Sequence, residues 1–301
     1  MSDPATERLG ASPADPAPTG RATRFGRKFV RHRVAMLSVV VFAVVLVLAL
    51  NAERIAPYGF AEQNLLNSRV APTFTDWHLF GTDRLGRDYF SRVLYGTQTS
   101  VLVALVVAAL STLIGTVVGA VAGYFGGRVD QLLMRFTDIV LVIPALAALL
   151  IIVAFLGQGS PYRVAVIVSL FLWTLVARIV RGLFLSLREQ EFVDAARASG
   201  AGDLRIITRH MLPNAMSPII VNATLTVAQA ILIEAALSFL GVGIQPPFPA
   251  LGNLIAEGRS AMFTEWWLVT MPGVVIVTIC LSINFIGDGL RDALDPRQTQ
   301  R

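Results

Sequence analysis

One cysteine, one lysine and three histidines in 301 residues leave little room for several kinds of chemistry. Cys280 alone cannot form an internal disulfide. His32, His78 and His210 lie in separate segments, away from Cys280, so no metal-ligand spacing is present. A phosphate-cradling loop needs glycine, four residues, then Gly-Lys-Ser/Thr; Lys28 sits in an N-terminal basic cluster without that pattern. No hydrolase motif groups a serine with a histidine and an aspartate. Charge is also scarce: 15% of residues, against about 25% in an ordinary soluble domain. Apolar residues are what the chain has in quantity, at 54%, with a mean hydropathy of +0.65. A soluble enzyme is a poor fit, and a membrane protein a good one.

The net charge of +5 does not point to nucleic acid. The basic residues cluster beside apolar stretches, as orientation signals do, and no nucleic-acid-binding motif is present. Six stretches approach the roughly 20 apolar residues a helix needs to cross hydrocarbon: 34–52, 97–123, 137–156, 164–181, 215–240 and 267–290. The first lacks a small-residue cleavage site and reads as an uncleaved anchor. Residues 1–33 read as a cytoplasmic, disordered and basic tail. Residues 34–96 hold the first span and an outer segment, 97–290 the transmembrane core, and 291–301 a C-terminal tail. With the N-terminus inside, the inner segments carry 18 arginines and lysines and the outer ones 7. That asymmetry predicts both termini in the cytoplasm, and residues 186–214 with them.

Within that inner loop, residues 194 to 213 read DAARASGAGDLRIITRHMLP. Gly200 breaks the stretch and Pro213 closes it, which predicts two short helices at an angle. Gly200 can take the positive φ that ends one helix, and Asp203 can cap the next, with Leu204, Ile207 and Met211 on one face. By residue type alone this is equally an amphipathic connector on the membrane surface. The pattern Asp-Ala-Ala, three residues, Gly, nine residues, x-x-Leu-Pro resembles the EAA loop of ABC-importer permeases. That resemblance implies an ATPase-coupling element carried by Asp194, Ala195, Ala196, Gly200, Leu212 and Pro213. Asp194 stands where the motif usually has Glu, and His210 where it has Ile.

A second stretch, FGTDRLGRDYFSRVLYGTQTS from Phe80, resembles the C-type permeases of dipeptide and oligopeptide importers. Gly81, Thr82, Asp83, Gly86, Arg87, Asp88, Ser91 and Arg92 carry the match. Asp88 can cap a short helix whose Tyr89, Phe90, Val93 and Leu94 make an apolar face, predicted to lie at the outer interface before the second span. Whether that helix touches substrate is left open. Further matches at 178–200, 234–252 and 287–297 extend the resemblance over residues 25–297. Gln98 and Leu251 depart from it, at places where Arg and Trp are usual.

Inside the membrane, Ser111, Gly115, Gly119 and Gly123 recur every four residues, a spacing that brings helix backbones together. Their partner is either another helix of this chain or a second subunit. Glu234, with Asn222 and Gln229, is a candidate for the translocation path; a hydrogen bond between helices is the other reading of Glu234. Asn284 invites the same two readings. An ion-coupled secondary carrier would place paired acids or broken helices near the midplane, and the acids Asp130, Asp138 and Asp288 sit near span ends instead.

The family resemblance implies an all-α integral membrane protein of the bacterial cytoplasmic membrane, with six transmembrane helices and a MetI-like permease core. It implies a second homologous permease, two ABC ATPase subunits or one fused chain, and an extracytoplasmic peptide-binding protein, all set in membrane lipid. ATP and magnesium would be bound by the ATPases. No catalytic residue, cofactor or metal is expected in this chain. Dipeptides or oligopeptides are the implied substrates, with glutathione and nickel chelates carried by related importers.

Overall fold

The computed structural model describes residues 29–30, 32–74, 76–156 and 160–294. Lys28, most of the N-terminal tail and the C-terminal tail from residue 295, including Pro296 and Arg297, lie outside the described residues. Among the described residues the fold is all-helical, the one β feature being an isolated bridge between Thr82 and Asp88. Helix α1 is Arg33–Leu50 and α2 is Tyr89–Phe125. A sharply bent pair follows, α3 (Gly127–Val142) and α4 (Ala145–Leu156), then α5 (Pro161–Arg188). The short α6 (Glu191–Ala198) precedes α7 (Leu212–Phe239), α8 (Leu251–Gly258) and α9 (Trp267–Leu294). Five helices are long and apolar enough to cross a membrane, and the bent pair makes a sixth crossing if counted as one.

Three departures from the expected spans have physical causes. The interfacial helix before the second span does not exist as a separate element: Tyr89 begins a single 37-residue helix. Asp88 does cap it, its carboxylate accepting from Ser91 N at 2.7 Å. The face of Tyr89, Val93 and Leu94 is buried in protein rather than laid on lipid. At about 1.5 Å per residue the helix is longer than a bilayer's hydrocarbon is thick, so its first turns stand beyond it. The third span is broken by 83° at Ile143–Pro144. Ile143 is extended (φ −73°, ψ 124°), as steric clash with a following proline ring requires. Finally, Pro213 ends nothing. The backbone runs from Asp203 through a π-helical stretch, Ile206–Met211, directly into α7. A proline has no N–H and crowds the carbonyl four residues back, and the wider π spacing just ahead of it removes that conflict.

The small-residue stripe packs inside the chain. Gly115, Gly119 and Gly123 of α2 lie against Val176, Val180 and Phe184 of α5. The constant offset means the two helices run parallel, with α3 and α4 making the return. A Cβ on Gly119 would stand 2.4 Å from the Ala177 carbonyl oxygen, and only glycine permits so close a crossing. Two apolar clusters form around this pair. The larger joins α2, α4, α5, α7, α8 and α9. A smaller one gathers Tyr124, Val180, Phe184, Val193, Ile206 and Met211 where α2 and α5 end.

Candidate functional site

The 194–213 element is built on that smaller cluster. Val193 and Ala196 of α6 point into it, while Asp194 and Ala195 are exposed on the opposite side. The exposure follows from helical geometry: residues three apart share a face, and their neighbours in sequence cannot. Ala196 is therefore an inward packing residue, and Ala195 an exposed one. Gly200 has φ +80°, with nothing within 4 Å of where a Cβ would be. Its requirement for glycine is conformational and not steric. After it, Ile206 and Met211 are fully buried, five residues apart as a π turn dictates. The face expected from α-helical spacing is corrected accordingly, and Leu204 is exposed. Leu212 is half-buried and Pro213 exposed.

Asp203 does not cap its helix. Gly202 occupies that position, and Asp203 Oδ1 instead accepts a hydrogen bond from the Tyr124 hydroxyl at 2.6 Å. The Arg197 guanidinium sits 5.7 Å above the same tyrosine ring. Arg188 Nη1 donates to the Tyr124 carbonyl at 3.4 Å. One side chain at the end of α2 thus ties both halves of the element to the spanning helices. Sequence reading missed Tyr124, because its partners lie far along the chain.

At the opposite end, the 80–100 segment is a knot of polar side chains. Arg92 is buried, with Nη1 2.7 Å from both Asp83 Oδ2 and Glu257 Oε2, and Nη2 3.0 Å from Glu257 Oε1. Arg87 bridges the same two carboxylates at 2.6 and 2.9 Å. Asp83 Oδ1 also accepts from the backbone N–H groups of Leu85 and Arg87, closing the loop around Gly86. A second set links His78 Nδ1 to Asp88 Oδ1 at 2.9 Å and Ser91 Oγ to Asp88 Oδ2 at 2.6 Å. Thr82 Oγ1 donates to the Asn67 carbonyl and accepts from Val70 N, while a Cβ on Gly81 would meet the Val70 carbonyl oxygen at 2.6 Å. Tyr89 reaches across to the Leu254 and Leu268 carbonyls at 3.0 and 2.6 Å. These residues pin the segment ahead of α2 to α8 and to the start of α9. Arg92→Met should lower stability by about 3 kcal/mol, because it takes from the buried Asp83 carboxylate one of its two cations. Thermal unfolding in detergent would show it, and an unchanged midpoint would mean that Arg87 alone suffices.

Of the three candidate path residues, Glu234 is completely buried. Ser100 Oγ of α2 donates to its Oε2 at 2.8 Å and Ser238 Oγ to its Oε1 at 2.7 Å. Here the carboxylate is a tie between α2 and α7. Asn222 is half-buried and Gln229 exposed on α7. The structure does not bring the three together in one cavity. Charged side chains instead line a cleft of about 700 Å³ between α3 and α5. In it Arg181 grips Asp130 with two hydrogen bonds of 2.5 and 2.6 Å, and Arg178 holds Asp138.

Comparison with known proteins agrees with this architecture. Residues 115–300 match the family model of the binding-protein-dependent transport system inner membrane component. Residues 21–72 match the N-terminal TM domain of oligopeptide transport permease C. A Brucella abortus protein whose name describes a peptide transport system permease is 44% identical over 271 residues, covering 90% of each chain. The dipeptide transport system permease protein of Haemophilus influenzae is 35% identical over 296 residues, covering 97% of this chain and all of that one. A chain of the MetNI methionine ABC transporter, solved in inward-facing conformations, shares the fold with a TM-score of 0.58 at 20% identity. It aligns with 69% of this chain and 98% of its own. Helical architecture, bent element and matched residues together place this chain in the binding-protein-dependent inner membrane component family, the permease subunits of ABC importers.

Proposed function

We propose that this protein is one of two permease subunits in a peptide importer, with dipeptides or oligopeptides as its substrates. A second, homologous permease completes the path. Two ABC ATPase subunits, or one fused chain, bind ATP and magnesium and dock on the Asp194 and Ala195 face. An extracytoplasmic binding protein delivers the peptide. This subunit supplies half of the pathway and one coupling element, and performs no catalysis. The observation that carries the reading is the bent 194–213 element, exposed on one side and built into the ends of α2, α5 and α7 on the other. A part so fixed moves the spans when it is moved. The names of the relatives, peptide and dipeptide permeases, support the substrate class.

Orientation follows from the basic asymmetry, which puts both termini and the coupling element in the cytoplasm. Cysteines at Asp76 and Thr264 should react with an impermeant reagent in intact cells, and one at Gln190 should not, in a Cys280→Ser background. In the same strain, deletion of this subunit should abolish uptake of labelled di- and oligopeptides. Loss of nickel-chelate or glutathione uptake with peptide uptake intact would move the protein to a related importer. Outside labelling at Gln190 would reverse the topology and remove the ATPase from reach.

A further inference from the structure

Helix α3 carries two stripes one residue apart. Val129, Leu132, Phe136 and Ile139 form an exposed apolar stripe, and Arg128, Gln131, Arg135 and Asp138 form a polar one with the same three-and-four spacing. The helix runs antiparallel to α5: Asp130 meets Arg181, while Asp138 meets Arg178 and Phe136 stacks on Trp173 at 6.0 Å. Arg178 stands ten residues before the end of α5, about 15 Å along the helix. At 28 residues α5 is longer than the hydrocarbon is thick, so that level lies near the membrane's edge, where ionised side chains face water, headgroups or protein rather than acyl chains. The exposed apolar stripe suits acyl chains, whereas the polar stripe lines an open, charged cleft that suits water.

The charges there are not balanced. Asp130 and Asp138 are each held by an arginine of α5, whereas Arg128 and Arg135 are exposed and have no carboxylate within ion-pair distance among the described residues. Four arginines face two aspartates, leaving two positive charges in excess. The free pair lies two helical turns apart, about 10 Å, on one side of the cleft.

We propose that the polar stripe of α3 walls the water-filled inner mouth of the substrate path, and that Arg128 and Arg135 receive the carboxylate of the passing substrate in turn. The carboxylate part rests on the peptide-import reading, since every free peptide bears an ionised C-terminal carboxylate at neutral pH. A guanidinium suits that group because it offers paired donors in one plane. Exposure keeps each contact weak, which release demands as much as capture. An anionic lipid headgroup has the same charge, and because the two stripes lie only about 100° apart around the helix, the two ligands are told apart by varying the lipid.

The test uses the whole importer in nanodiscs, with Cys280→Ser and a single cysteine at Gln131. Two methanethiosulfonate reagents of similar size, one anionic and one cationic, report the local potential. Both should react, the anionic one favoured at least about threefold relative to the same ratio at Gln190→Cys, as two nearby partly screened charges imply. Arg128→Gln with Arg135→Gln should abolish that preference and lower the maximal import rate of a free-acid tripeptide about tenfold, with peptide affinity of the binding protein unchanged. Ile139→Cys should stay unlabelled. A silent Gln131→Cys, or one without charge preference, overturns the wall even if peptides are imported. A preference that follows anionic lipid content instead of the two arginines assigns them to lipid and also overturns it. Persistence of the preference in an importer that moves no peptide supports the wall and refutes the peptide reading alone.

Discussion

A valine at Gly119 is expected to reduce folded, assembled permease to less than about a tenth of the wild-type amount. The Cβ would sit 2.4 Å from the Ala177 carbonyl oxygen, 2.8 Å from Val180 Cβ and 3.0 Å from Arg181 N. Two of those three atoms are backbone, so no side-chain rotation relieves the clash, and α2 and α5 must separate. Separation also undoes the crossings at Gly115 and Gly123, where a Cβ would meet Val176 and Phe184 at 2.5 and 2.6 Å. Lipid tails are as apolar as the side chains, so close packing is most of what holds these helices together. Overpacking a well-filled interior costs about 1–3 kcal/mol, and a three-point crossing on rigid backbone belongs at or above the top of that range. Total stabilities run at about 5–15 kcal/mol. Gly182→Ala is the control, because Gly182 lies in α5 with nothing within 4 Å. Size-exclusion profiles of the detergent-extracted complex check the outcome. Equal recovery of both variants would mean that the α2–α5 crossing is not what holds the subunit together.

What could be read beforehand was what local chemistry decides. Asp88 caps because an aspartate before a run of helix formers has a free N–H three residues on, and Gly200 turns because it alone takes φ +80° cheaply. The four-residue stripe announced a close helix crossing for the same reason. It could not say which helix, since parallel packing of α2 on α5 is a property of the chain's path. Continuity of α2 through residues 89–97 was equally hidden: Tyr89 is buried there by Leu254 and Leu268, more than 160 positions away. Asp203 looked like a cap until Tyr124, 79 positions earlier, claimed its carboxylate. The π turn before Pro213 moved the buried face from Leu204 to Ile206, a shift no fixed helical period anticipates. Glu234 shows the limit from the other side. Its rarity marked it as special, but only Ser100 and Ser238 decide that it ties helices.

Gly200→Val and Asp194→Lys should each cut peptide import more than about tenfold while leaving the folded amount of the subunit near normal. The two changes attack different properties of the same element. Asp194 has a side chain 72% exposed, and its one ion-pair contact among the described residues, with Arg197, is 3.4 Å long. Exposed pairs of this kind contribute about 0–1 kcal/mol, so losing it does not unfold anything. Lysine nevertheless reverses the charge presented to a docking partner, and like charges facing each other across an interface are strongly unfavourable. Valine at Gly200 meets no neighbouring atom, so its effect is confined to the backbone. A left-handed conformation costs an L-residue about 1–2 kcal/mol, and a β-branched one more. The chain relieves that cost by changing φ, which swings α6 relative to the π-helical segment and misaligns the exposed face. In both variants, ATPase activity should lose its dependence on the loaded binding protein, or the ATPases should dissociate. Peptide binding to the separate binding protein should remain normal. Asp194→Glu is the informative counterpart: it keeps the carboxylate on a longer stem and should import at close to the wild-type rate. Variants at Gly200 and Asp194 that assemble, hydrolyse ATP on demand and import normally would show that the ATPase docks elsewhere, and the 194–213 element would then be a surface connector without a mechanical role.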